Sequence, residues 1–270
     1  MKTMKTMNTL NPHPVATTAA TPPKSKFLSV KFATVLLMAI SPLAVQGAIT
    51  VTGSDTYGAV PDDTAFSYEV QETDSMLVFG FYNDEATDPT GASFGGVTAD
   101  GFLAGSRMGI AYWKNPTVGS GDFTFTGISG AHVLLGGVFE LANVDLDETP
   151  TGTFVPKNTD PNEITTVTAN EFVVSFAGRN GDSTITPGVD SIIDSDLFSI
   201  GGFVNPPDGT STTNALGGGT GLAGAAGLQE VTWDNEDRGS LTYSFQAIPE
   251  PSSTALIVLG GLALILRRRR

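Results

Sequence analysis

The residues of this chain that could do chemistry are mostly carboxylates. Asp145, Asp147 and Glu148 follow one apolar run, and Asp190, Asp194 and Asp196 lie between Gly188 and another. Carboxylates gathered on loops are the hard oxygen ligands that calcium takes, so Asp145, Asp147, Asp190, Asp194 and Asp196 make a candidate calcium set. No Asp-x-Asp-x-Asp-Gly loop accompanies them, and acids are spread along the whole middle of the chain. A solvated acidic surface accounts for the same residues. Paired carboxylates could also hydrolyse a glycosidic bond if a cleft held them about 5 Å or about 6.5–9.5 Å apart. In so acidic a chain some pair meets that spacing by chance, so no catalytic residue is assigned.

Other chemistries have fewer residues to work with. His132 is the one histidine between residues 48 and 248, too few for a multi-histidine metal centre, and a triad would need partners that the sequence does not reveal. Cysteine is absent, which excludes thiol catalysis, zinc fingers and disulfides. Tyr112, Trp113, Trp233 and Tyr243 could stack on sugar rings, but all four sit in alternating patterns that also suit a core. Thr165-Thr166-Val167-Thr168 is too brief for the ranked threonines of an ice-binding face.

The elements that would carry these residues read as strands. Phe66, Tyr68 and Val70 alternate with polar residues, and Met76 to Tyr82 is nearly all apolar, as in a central strand. Further runs are Met108 to Trp113, Phe123/Phe125, His132 to Leu141, Glu171 to Ala177, Leu197 to Val204, Val231/Trp233 and Leu241/Tyr243/Phe245. Turn clusters such as Asp88-Pro89-Thr90-Gly91 separate them. No capped helical period appears. The expectation is an all-β chain folded as an antiparallel β-sandwich, Ig-like or jelly-roll. Asn205 to Gly227, rich in Gly, Thr, Ala and Pro, reads as a long loop.

The two ends differ from this body. Lys24, Lys26 and Lys31 precede an apolar run from Phe32 to Ile40, Pro42 breaks it, and Val45-Gln46-Gly47 offers small residues before Ala48. Residues 1–47 are therefore expected to be a signal peptide cut after Gly47, with an atypical Thr- and Pro-rich extension. Initiation at Val30 would give a compact signal led by Lys31. At the other end Pro249-Glu250-Pro251 precedes an apolar stretch over 252–266, expected to be a short hydrophobic helix, and then Arg267, Arg268, Arg269 and Arg270. The stretch is shorter than the roughly 20 residues of a full span, and the arginines hold their end on the cytoplasmic side. Each proline biases the residue before it away from helix, so the triplet is expected to be extended and accessible.

Residues 48–248 hold 27 acidic and 5 basic residues, a net charge of −22. Such a surface repels nucleic acid and anionic membranes and favours solubility and cations. Roughly 200 residues suffice for one large domain.

Pro249-Glu250-Pro251-Ser252, the Leu256–Leu266 segment with Gly260-Gly261, and Arg267–Arg270 resemble the PEP-CTERM sorting signal of Gram-negative bacteria. The resemblance implies recognition by an exosortase, a membrane enzyme that removes the tail during export, in bacteria that make extracellular polysaccharide. The same tail occurs on some ice-binding proteins, where it is only the sorting signal. The body also resembles a β-sandwich-like domain of bacterial surface proteins of unknown function. That likeness rests on Leu77-Val78-Phe79-Gly80, Phe94-Gly95-Gly96, Trp113-Lys114-Asn115-Pro116 with Gly119 and Gly121, and Val144-Asp145 with Pro150. The expected protein is exported, inserts in the inner membrane through its C-terminal tail at least transiently, and then resides in the cell envelope, at the cell surface or in the extracellular matrix. Its expected role is structural, adhesive or polysaccharide-associated and non-catalytic. An extracellular carbohydrate-active hydrolase is the alternative, and a permanently anchored inner-membrane protein is a third class.

Overall fold

A computed structural model of the chain describes residues 45–61, 66–83, 87–128, 133–157, 163–181, 183–204, 212–250 and 267. Two compact units are present. Ala44–Ser252 is the body; Met1–Leu43 with Ser253–Arg270 is the other, of which only Arg267 is among the described residues.

The body is built of strands. In chain order they are β1 Val45–Gln46, β2 Thr50–Pro61, β3 Phe66–Val70, β4 Met76–Asn83, β5 Gly91–Phe94, β6 Val97–Thr98 and β7 Gly101–Gly105. There follow β8 Met108–Lys114, β9 Gly119–Thr126, β10 Val133–Ala142, β11 Thr151–Val155, β12 Glu163–Thr166, β13 Phe172–Asn180 and β14 Thr186–Pro187. The last are β15 Ile193–Val204, β16 Thr212–Leu222, β17 Gly227–Glu230, β18 Trp233–Asp234, β19 Ser240–Phe245 and β20 Pro249–Glu250. Every strand pairing described is antiparallel, and the all-β expectation holds.

Two five-stranded sheets form the sandwich, in the orders β2-β10-β4-β8-β7 and β11-β19-β13-β16-β15. They are covered on their outer faces as well. A four-stranded sheet, β3-β9-β5-β6, lies on the first, and the ribbons β12-β17 and β14-β18 contribute to a core on the far side of the second. The central strands consequently feed two cores at once. Met76, Val78 and Tyr82 of β4 enter the core between the five-stranded sheets, while Leu77, Phe79 and Phe81 enter the one under the four-stranded sheet. A strand buried on both faces has no polar side to show, which is why β4 is an unbroken apolar run.

The segment read as a loop over 205–227 is corrected in part: Thr212–Leu222 is β16, held between β13 and β15. Residues 205–211 lie outside the described residues. Its glycines leave space for neighbouring side chains, Ile185 over Gly217, Phe198 over Gly218 and Leu197 over Gly219. A Cβ on Gly218 would stand 2.3 Å from Phe198 Cζ, and one on Gly137 of the facing sheet 2.1 Å from the same atom. Composition alone reads such a strand as a loop, because its packing is supplied by its neighbours.

Gly80 and Gly58 separate packing from propensity. A Cβ on Gly80 would lie 2.2 Å from Phe176 Cγ, whereas Gly58 has nothing within 4 Å. Gly80→Ala is expected to lower unfolding stability by about 1–3 kcal/mol and Gly58→Ala to change it by less than about 0.5 kcal/mol, both read from urea denaturation midpoints.

Candidate functional site

A partly enclosed hollow of the body lies where the Phe94-Gly95-Gly96 turn faces the segment after β8. It encloses about 290 Å³, with Phe94 and Trp113 in its lining, Val97 and Val118 exposed beside it, and Asp100, Asn115, Thr117 and Ser120 supplying polar groups. Hydrogen bonds fix its walls. Trp113 Nε1 donates to Val97 O at 2.9 Å, Lys114 N to Asp100 Oδ2 at 2.7 Å, and Asp74 N to Asn115 Oδ1 at 3.2 Å. Asn115 adopts the left-handed conformation, φ 50°, that ends β8 and turns the chain. Both rings are buried, and each packs against Phe123, at centroid distances of 4.7 Å for Phe94 and 5.4 Å for Trp113. The volume is at the small end for a ligand pocket. Asp100 is the one carboxylate among its described lining residues, where glycoside hydrolysis needs two.

Lys114 links this hollow to the acidic segment after β10. Its Nζ donates to Leu146 O and to Glu148 O, each at 2.7 Å. The side chain thus places an ammonium against carbonyls of the very turn that holds Asp145 and Asp147. Asp145 Oδ1 accepts from Asp147 N at 3.0 Å, a local turn bond. In the other candidate group, Asp190 sits in an exposed turn, Asp194 Oδ1 accepts from Ser195 Oγ at 2.9 Å, and Asp196 Oδ2 accepts from Thr220 Oγ1 at 3.2 Å. Among the described residues no three His, Cys, Asp or Glu side chains come together as a metal site. Tyr112, Trp113, Trp233 and Tyr243 are all buried, and His132 lies outside the described residues.

Two carboxylates that the sequence reading did not single out are buried beside turns. Glu140, wholly buried in β10, accepts from Gln71 N at 3.1 Å, Glu72 N at 3.0 Å, Tyr68 Oη at 3.0 Å and Ser75 Oγ at 3.2 Å. Glu171 accepts from Val167 N at 2.7 Å, and from Thr168 N at 2.6 Å and Oγ1 at 3.3 Å. Each draws a turn inward by satisfying its amides, so its lone pairs are engaged in structure. Burial pushes the Tyr68 phenol up, and the adjacent Glu140 carboxylate adds to the shift, so Tyr68 keeps the proton it donates. The signal in the sequence is an acid standing inside an apolar run, as in Val138-Phe139-Glu140-Leu141.

The C-terminal end of the body is extended, as the prolines require, but it is not free. Val144 and Ala247 form a bridge, Ile248 N donates to Asn143 O at 3.0 Å, and β20 pairs with β1. Pro251, the 252–266 segment and Arg268, Arg269 and Arg270 lie outside the described residues, and Arg267 belongs to the other unit. Among the described residues no helix is long and apolar enough to cross a membrane.

Residues 247–270 match the family described as the PEP-CTERM protein-sorting motif. No curated protein and no solved structure matches the chain. The motif implies export, association with the cell envelope and processing by an exosortase. It is confined to the tail and assigns no activity to the body.

The buried carboxylate gives the test of this region's architecture. Glu140→Leu strands two turn amides and two hydroxyls at once, and should lower stability by about 3 kcal/mol or more. Faster hydrogen exchange at Gln71 and Glu72 should accompany the loss, while Glu140→Gln, keeping one acceptor oxygen, should fall between.

Proposed function

We propose that this chain is a non-catalytic protein of the cell envelope or extracellular matrix, associated with polysaccharide and delivered by its C-terminal tail. The observation that carries the reading is the sorting motif at 247–270, which begins on Ala247, a residue buried in the core of the body. The folded domain and its address are continuous, so the domain is the cargo.

Two features of the body support a binding or structural role over a hydrolytic one, and a third bears on the partner. The buried carboxylates Glu140 and Glu171 are engaged by turn amides. The hollow beside Trp113 has one acid in its described lining, with exposed apolar residues Val97 and Val118 beside it. The body's net charge of −22 disfavours a polyanionic partner and favours a neutral polysaccharide.

The test uses the processed protein and the exopolysaccharide of the producing bacterium. Saturable co-sedimentation without new reducing ends is expected, and Val97→Asp, an exposed change beside the hollow, should weaken it roughly tenfold. Release of reducing sugar that Asp100→Asn abolishes would establish the hydrolase instead.

A further inference from the structure

The two ends of the body meet in one ladder. Val45 pairs with Glu250 and Gln46 with Pro249, antiparallel, and Gly47 N donates to Ile248 O at 3.1 Å. Since 47/248 carries a ladder bond, the next pair, Gln46/Pro249, is the non-bonded kind, and 45/250 is bonded again. Pro249 therefore stands where the ladder asks no amide of it, the position at which a strand tolerates proline. The first two residues of the sorting triplet are thus compatible with this pairing.

On its other side the same segment is tied to the body. Asp145 N donates to Gln246 O at 2.8 Å, Ile248 N to Asn143 O at 3.0 Å, and Asn143 Nδ2 to Ala48 O at 3.2 Å. These bonds involve residues 48 and 143–145, all of which lie after the expected signal-peptide cut between Gly47 and Ala48. The partners of Pro249 and Glu250 lie before that cut. Hydrolysis there, with water adding across the Gly47–Ala48 bond to leave a carboxylate and an ammonium, removes Val45, Gln46 and the Gly47 amide together.

We propose that Val45–Gln46 is a strand that covers the start of the sorting motif, so that removal of the N-terminal segment must precede removal of the tail. An enzyme reading Pro249-Glu250-Pro251 needs those residues unpaired, and a two-residue ladder is a cover that one cut dissolves. The inference rests on the sorting reading above. It adds an order of events, set by the chain itself.

Intact mass of the full chain expressed in the producing bacterium reads both ends of the same molecule. Three forms are compared: the wild type, Ala48→Pro to block the N-terminal cut, and Gly47→Pro with Ala48→Pro, which blocks the cut and also deletes the Gly47 amide of the ladder. The wild type should show molecules lacking both ends and intermediates lacking only the N-terminal segment. Ala48→Pro should retain both ends, with tail loss reduced roughly tenfold or more. The double variant should retain its N-terminus yet lose its tail. Molecules of the wild type or of Ala48→Pro that keep residues before Gly47 but have lost the tail would overturn the order, as would a double variant that keeps its tail. A wild type that never loses its tail would overturn the sorting reading itself, and this proposal with it.

Discussion

The body depends on how closely its two five-stranded sheets approach. Phe139 from one sheet and Phe176 and Phe198 from the other form a triangle with centroid separations of 5.7–5.9 Å. Phe176 and Phe198 rest directly on backbone at Gly80, Gly137 and Gly218, where any side chain would collide with them. Aromatic area is buried without spreading the sheets, and the strands on either side keep their other faces for a second layer of packing. Because the middle sheets are covered twice, polar residues also go inside. Ser175 bonds Thr242 at 2.9 Å and receives Trp233 Nε1 at 3.0 Å, which satisfies the hydroxyl pair beneath the outer ribbons.

Strands that carry their own apolar residues could be read from the sequence: β3, with its alternation, and β4 and β8, with continuous runs, fall where the pattern puts them. β16 could not, because Leu216-Gly217-Gly218-Gly219 contributes space that Ile185, Phe198 and Leu197 from elsewhere in the chain fill. Lys114 and Asp145 appeared in one resemblance as separate turn residues, and only the fold shows that the lysine reaches the turn beyond the aspartate. Glu140 was hidden because strand patterns ignore a single acid within an apolar run; its partners lie 65–72 residues earlier in the chain.

Charge is sorted by depth in a similar way. The many surface acids repel one another across the body, while the few carboxylates taken inside are matched to backbone amides instead of to cations. The one lysine near the hollow is spent on carbonyls of an acidic turn. A cation in that position lowers the local field and fixes the turn at the same time, which is what a bound metal ion would otherwise accomplish.

The place of β19 has a consequence for delivery. It is nearly the last strand of the body, yet it lies inside its sheet, between β11 and β13. A chain crossing a membrane N-terminus first therefore holds that sheet open until residues 240–245 have passed. Until then β11 lacks its neighbour and the core between the sheets lacks Leu241, Tyr243 and Phe245. The topology itself delays closure, since that sheet and the core against it are complete only when nearly the whole body is available.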